Sequence, residues 1–418
     1  MNLSRAVRIA AALLLLTAAT ALVPAQQPIN NLKPTVILVS MDGFRYDYVD
    51  KFAPPTISRL AKVGVRAKSM IPSFPTKTFP NHYTVATGLY PQNHGLVENN
   101  VYDFGTVFTM SKFDEVTNPR WWWGEPIWVT AEKQGQHSAS YFFVGTGTEI
   151  ADRLPSYWRH YNGRVPPEMR VDKLLSWLDQ PVTERPTMLT LYFSDTDDVG
   201  HEFGPDAEET KYAAWNVDRY IERLMNGLHA RKVDKKVNVI LVSDHGMAAV
   251  DQRNAIVMDE FFDIDDKKIA DPILTTGEIW QIFPRAGKED YIIDRLKSIQ
   301  HATCWRKKDI PARLHYNEGK RIAPIVCSSD EGWFMTTKRR YDEQKKSPDF
   351  AQTRGAHGYD NRYQSMGATF IAYGPAFKKG FVAEPFSNVE VYNVMCKILG
   401  LTPAKNDGDL DRVKKMLR

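Results

Sequence analysis

PTVILVSMDGF, residues 34–44, is an apolar, β-branched run that ends on an acid and a glycine. It reads as a buried strand whose carboxyl end carries Asp42. The same form returns three times. MLTLYFSDTDDVGH (188–201) and VNVILVSDHGM (237–247) also run from apolar residues into acids, and ATFIAYGP (368–375) runs into Gly-Pro. Between them, TISRLAKVGV reads as a short helix, and 207–231 places Val217, Ile221, Leu224 and Leu228 on one helical face. Buried strands alternating with helices specify an α/β fold with a largely parallel central sheet flanked by helices. In such sheets ligands bind beyond the carboxyl ends of the strands. Asp42, Asp197 and Asp244 all fall there.

The chain has 418 residues, 43% of them hydrophobic, which is ample for a large core. Its net charge of +4 is small, and basic and acidic residues are interspersed, so no nucleic-acid-specific surface is expected. Two segments break the α/β rhythm. One, about 105–185, is rich in aromatics, among them Trp121, Trp122, Trp123, Trp128, Phe142, Phe143 and Tyr161. The other, about 265–350, holds Cys304 and Cys327. Both are read as inserted cap segments or walls of a cleft.

At the N-terminus, Arg5 and Arg8 precede an apolar run from Ile9 to Val23, and Val23 and Ala25 suit a cleavage site. Residues 1–25 therefore read as a signal peptide, with 26–418 as the catalytic domain. No other stretch is long and apolar enough to cross a bilayer, so no stable membrane insertion is expected after cleavage. The mature protein is expected in the periplasm or outside the cell. Export makes a Cys304–Cys327 disulfide the expected pairing, with a stabilisation of about 3 kcal/mol. Cys396 lies in a helical pattern that Gly400 closes and is expected to be a buried free thiol.

The chemistry gathers at the strand ends. Asp42 follows the first strand, Asp197 and His201 lie in DTDDVGH, Asp244 and His245 in SDHG, and His357 in GAHGYDN. Mixed oxygen and nitrogen donors suit zinc or a similar divalent ion. Six ligands exceed one tetrahedral ion and suit two ions held close together. Each acid also has a structural reading as a turn or cap residue, and Asp195 and Asp198 compete with Asp197.

PTKTFPNHYT (75–84) supplies a hydroxyl to such a site. Proline is favoured in the first turn of a helix, which places Thr78 at a helix N-terminus, where unpaired N–H groups attract anions. Metal coordination lowers a hydroxyl's pKa. Thr78 is thus a candidate nucleophile. The alternatives are an N-cap role for Thr78, or Thr76 in its place.

These stretches, together with FPTKTFPNHYTVATGLYPQNHGLVENNVYD, EPIWVTAEKQG and FSNVEVYNVMCKILGLTP, resemble a bacterial member of the nucleotide pyrophosphatase/phosphodiesterase family in the alkaline phosphatase superfamily. The resemblance covers the mature chain from end to end. It implies an alkaline-phosphatase-like fold and two Zn²⁺. By the same resemblance Thr78 is the nucleophile, and Asp42, Asp244 and His245 hold the zinc that also binds Thr78. Asp197, His201 and His357 hold the other zinc. Asn99 is implied as the donor to a non-bridging phosphate oxygen, with Asn100 adjacent. Asn81 and His82 are given a packing role.

For substrates, the resemblance implies nucleotide diesters or nucleoside triphosphates, with Tyr161 stacking on the base. Phe143 and Val144 stand where many animal relatives have Trp-Pro, and Val97 lies near the expected base site. The alternatives are a choline phosphodiester or a phosphomonoester on the same two-metal core, the latter with Lys77 or Arg45 as an extra cation. A remoter alternative is a non-enzymatic, metal-stabilised envelope protein. The sequence does not fix the oligomeric state.

Overall fold

The computed structural model describes residues 28–103 and 105–418; the signal peptide expected over 1–25 lies outside them. An eight-stranded sheet forms the centre. Its strands are β1 (Val36–Met41), β2 (Val65–Ala67), β3 (Ser138–Tyr141), β4 (Tyr157–Trp158), β5 (Met188–Phe193), β6 (Asn238–Val242), β7 (Phe370–Tyr373) and β8 (Phe381–Ala383). They lie in the order β8-β2-β7-β6-β1-β5-β3-β4. β1 pairs parallel with β5, Val36 opposite Met188, and with β6, Val36 opposite Asn238. β3 adds parallel to β5, and β4 to β3. β7, the fourth apolar run, is a strand as expected but runs antiparallel to β6 and β2.

Every residue of β1 is buried. Val36 and Leu38 enter one core, while Ile37, Val39 and Met41 enter the other. That explains a continuous apolar run in place of alternation, since both faces are covered. On one face lie helices α1 (Pro55–Val63), α3 (Pro167–Leu178) and α5 (Glu208–Ala230). The α5 stripe Val217, Ile221, Leu224 and Leu228 is fully buried there, each side chain contributing about 1.5–3 kcal/mol. Helices α2 (Thr78–Thr87) and α6 (Glu390–Leu399) help cover the other face.

The aromatic segment divides between two roles. Trp121, Trp122 and Trp128 are core residues of the α2 and α6 side. β3 and β4 belong to the central sheet, and only part of the segment borders the cleft described below. In the second segment, Ala270–Thr275, Ile279–Pro284, Ile325–Ser329 and Ala302–Arg306 form a four-stranded antiparallel sheet. It has its own core around Trp280, Ile282 and Ile325. Cys304 and Cys327 are bonded across two of these strands, directly opposite each other. Cys396 is a buried free thiol, pushed up to about 12 by burial.

Candidate active site

Three parallel strands deliver three carboxylates to one place. Asp42 follows β1 and Asp244 follows β6. After β5 the chain turns directly into α4 (Asp195–Phe203), whose first two turns carry Asp197 and His201. A ribbon of Ala248–Asp251 against Thr353–Ala356 then brings His357 alongside. Gly355 makes the approach feasible, because a Cβ there would stand 2.2 Å from the Gly200 carbonyl oxygen.

The six side chains interlock. His201 Nε2 lies 3.5 Å from Asp197 Oδ2, and His357 Nε2 lies 3.7 Å from Asp197 Oδ1. His245 Nε2 is 3.0 Å from Asp244 Oδ2, 3.5 Å from Asp42 Oδ1 and 3.3 Å from Thr78 Oγ1. The ligand atoms of Asp197, His201 and His357 lie within 4.8 Å of one another, as do those of Asp42, Asp197 and His245.

The imidazoles are oriented as metal ligands. His201 Nδ1–H donates to the Gly355 carbonyl at 2.8 Å, His357 Nδ1–H to Thr76 at 2.8 Å, and His245 Nδ1–H to Gly246 at 2.9 Å. A carbonyl can only accept, so each ring carries its proton on Nδ1 and turns an Nε2 lone pair inward. Asp42 Oδ1, Asp197 Oδ1 and Asp244 Oδ2 are buried without a hydrogen bond. Orphaned acceptors and inward lone pairs from six residues fit divalent cations, and the nitrogen–oxygen donor set suits zinc.

Electrostatics point the same way. Burial, reinforced by Asp244 and Asp197, pushes the Asp42 carboxyl well above the usual carboxylate range. Burial also raises Asp197, against the pull of His201 and His245. Asp244 is held well below its ordinary value, because His245 and His82 outweigh its burial. Burial, then His245, keeps His357 well below the imidazole range and therefore neutral. His245 goes the other way: burial opposes its charge, but Asp244 outweighs burial and raises it. Three buried carboxylates packed this closely suit cations.

Thr78 opens α2 as its first helical residue, after Lys77 at the N-cap. It is not itself the cap. The competing Thr76 is buried, and its hydroxyl donates to the Tyr359 carbonyl at 3.0 Å and accepts from Gly358 N–H at 2.9 Å. Thr78 instead faces a cleft of about 370 Å³ that it lines with Phe79, Phe142, Phe143, Val144 and Tyr161. Asn99 Oδ1 accepts from the Phe79 N–H at 3.0 Å, which ties Asn99 to the helix start and leaves its amide N–H₂ as a donor. Asn100 belongs to a separate hairpin strand, Asn100–Asp103.

Other expectations resolve in detail. Asp195 accepts from Tyr220 and Asp198 from Ser194, so Asp197 alone of the three turns into the cluster. Val97 is fully buried and its carbonyl accepts from Tyr316, so it does not border the cleft. Arg45 is bound to Asp47 and Asp206, and Lys77 to Glu278. One participant, Tyr192, was not legible from motifs, and a second, His82, does more than the packing role expected of it. Tyr192 donates to Asp42 Oδ2 at 2.6 Å from β5. His82 lies 3.2 Å from Asp244 Oδ2, while its Nδ1–H donates to the Thr78 carbonyl and its Nε2 meets Ser40. Both nitrogens of His82 are therefore engaged. Its spacing of four from Thr78 on one helix was the available signal.

This sheet, with its cluster beyond the carboxyl ends, is the fold of the alkaline phosphatase superfamily. Within it the chain belongs to the type I phosphodiesterase / nucleotide pyrophosphatase family, whose model matches residues 36–360. It is 38% identical over 395 residues to ectonucleotide pyrophosphatase/phosphodiesterase family member 3 of Rattus norvegicus, covering 92% of this chain and 44% of that relative. It is 38% identical over 408 residues to a venom phosphodiesterase of Macrovipera lebetinus, covering 94% and 46%. The chain thus spans less than half the length of these relatives. Among solved structures it is similar to murine ectonucleotide pyrophosphatase/phosphodiesterase 5, with a TM-score of 0.85 at 33% identity, covering 92% of this chain and 100% of that one. An inactive variant of the murine protein in complex with AMP matches with a TM-score of 0.84 at 32% identity.

Proposed function

We propose that the chain is an exported, zinc-dependent phosphodiesterase and pyrophosphatase. It hydrolyses nucleotide diesters and nucleoside triphosphates to nucleoside 5′-monophosphates, through a phosphothreonine at Thr78. The observation that carries this is Thr78 itself: a hydroxyl at a helix N-terminus, 3.3 Å from His245 Nε2, facing both the cluster and an aromatic cleft.

Asp42, Thr78, Asp244 and His245 would hold one ion, and Asp197, His201 and His357 the other. Bound there, the ions would lower the pKa of the Thr78 hydroxyl and offset charge on the phosphoryl oxygens. Thr78 Oγ1 attacks the phosphorus next to the nucleoside in line, forming the phosphothreonine ester and releasing the alcohol of a diester or the pyrophosphate of a nucleoside triphosphate. Asn99 donates its free amide N–H to an equatorial oxygen. Water then cleaves the ester and regenerates the Thr78 hydroxyl. His82 and Tyr192 keep Asp244 and Asp42 in place through the contacts above.

The cleft favours a nucleotide. Tyr161 is 60% exposed and offers a free ring face beside Phe142 and Tyr192. The pairing of Arg45 and Lys77 with carboxylates leaves neither as a free cation for a monoester dianion. The AMP complex of the murine relative supports the same class. The Cys304–Cys327 bond supports an oxidising compartment, periplasmic or extracellular, reached by way of residues 1–25. Among the described residues no helix is long and apolar enough to cross a membrane.

The test is turnover of three p-nitrophenyl esters by the zinc-loaded protein: thymidine 5′-phosphate, phosphate and phosphorylcholine. The reading requires the nucleotide diester to have much the highest kcat/KM. Preference for either of the others would replace the nucleotide assignment with that alternative.

A further inference from the structure

Lys77, the residue before Thr78, is 5% exposed and has no part in the chemistry above. Its ammonium pairs with Glu278, itself 7% exposed, in the turn that joins the first two strands of the four-stranded sheet, and lies 3.5 Å from the Thr276 carbonyl in the same turn. A second buried carboxylate, Glu98, completes the group. Its Oε1 accepts from Thr276 Oγ1 at 2.7 Å, and its Oε2 accepts from the Asn100 N–H at 2.8 Å. Burial raises the Glu98 carboxyl, and the Lys77 charge works against that rise. Glu98 immediately precedes Asn99, as Lys77 immediately precedes Thr78. The Lys77 stem also passes over Gly358, where a Cβ would stand 2.3 Å from Lys77 Cε. One ammonium is thus wedged among the start of α2, which carries Thr78, and the loops that carry Asn99 and His357.

As a stabiliser such a group is poor, because burying ions costs several kcal/mol and apolar side chains of similar volume serve as well. As a positioning device it is strong, because charge-assisted hydrogen bonds are short and directional. We propose that Lys77 and Glu278 are positioning residues. Through their ion pair and the Thr276–Glu98 bond, the four-stranded sheet sets Thr78 and Asn99 relative to each other. The inference rests on the reading of Thr78 as nucleophile and Asn99 as phosphoryl donor. It gives the 270–329 sheet a part in the reaction although it supplies none of the cluster residues.

The experiment measures kcat, KM, bound zinc and Tm for the wild type, Lys77→Met, Glu278→Gln and the double variant, with p-nitrophenyl thymidine 5′-phosphate. Each single change should lower kcat about 10- to 100-fold, since small misplacements of reacting groups have that effect. KM and bound zinc should stay at wild-type values. The double variant should be no worse than the poorer single one, because the pair acts as a unit. Wild-type kcat in both single variants would overturn the inference, as would losses that follow zinc content or melting. Should neither single variant fold, Thr276→Val decides, since it removes only the Thr276–Glu98 bond. A several-fold lower kcat at unchanged KM supports the inference, and wild-type kcat overturns it. An inert wild type would remove the functional reading and this inference with it, whereas an active wild type with fully active variants removes the inference alone.

Discussion

The Nε2 atoms of His201 and His357 face each other at 3.1 Å, and both rings give their Nδ1 proton to a backbone carbonyl. Two lone pairs that close repel each other unless a cation lies between or beside them. The arrangement predicts that the protein takes up two zinc ions per chain. Chelation should lower Tm, since an ion that binds only the folded state stabilises it by about 4 kcal/mol at a thousandfold excess over Kd. His357→Ala should retain one zinc by elemental analysis. Unchanged zinc in that variant would exclude His357 as a ligand.

Asn99 spends its oxygen on the Phe79 N–H, so its amide group is the part available to substrate. Asn99→Ala should reduce kcat on the nucleotide diester about 10²- to 10³-fold, the usual loss for one oxyanion donor. Zinc content should be unaffected. Steady-state kinetics beside metal analysis separates the two effects.

Tyr161 touches Phe142 and Tyr192 edge-on and otherwise faces the cleft. If it stacks on the base, Tyr161→Ala should weaken nucleotide binding by about 1–3 kcal/mol, seen as a higher KM. Hydrolysis of p-nitrophenyl phosphate, which has no base, should not change. Stability should move little, because the ring is largely exposed. Equal losses on both substrates would rule out stacking.

The strands and the acids that end them were legible because β1, β5 and β6 are buried on both faces, so their composition is continuous and their ends are abrupt. Thr78 was legible through Pro80, which marks a helix start. The direction of β7 was not, since an apolar run reads alike in either sense. Tyr192 looked like one more strand aromatic, and only the pairing of β5 with β1 sets its hydroxyl on Asp42. The aromatic segment gave no sign that Trp121, Trp122 and Trp128 are core while Phe142, Phe143 and Tyr161 border the cleft. The partner of Lys77 lies 201 residues away in a different sheet, a contact no local pattern encodes.

The central claim is that the hydroxyl of Thr78, and not water, first attacks phosphorus. The most direct measurement is the stereochemical course at phosphorus, with a chiral phosphorothioate analogue of a nucleotide diester. Attack by Thr78 followed by water inverts the centre twice, so the account predicts overall retention, and Thr78→Ala should lose turnover while keeping its zinc. Inversion in the wild-type reaction would mean a single direct attack by water and would contradict the account.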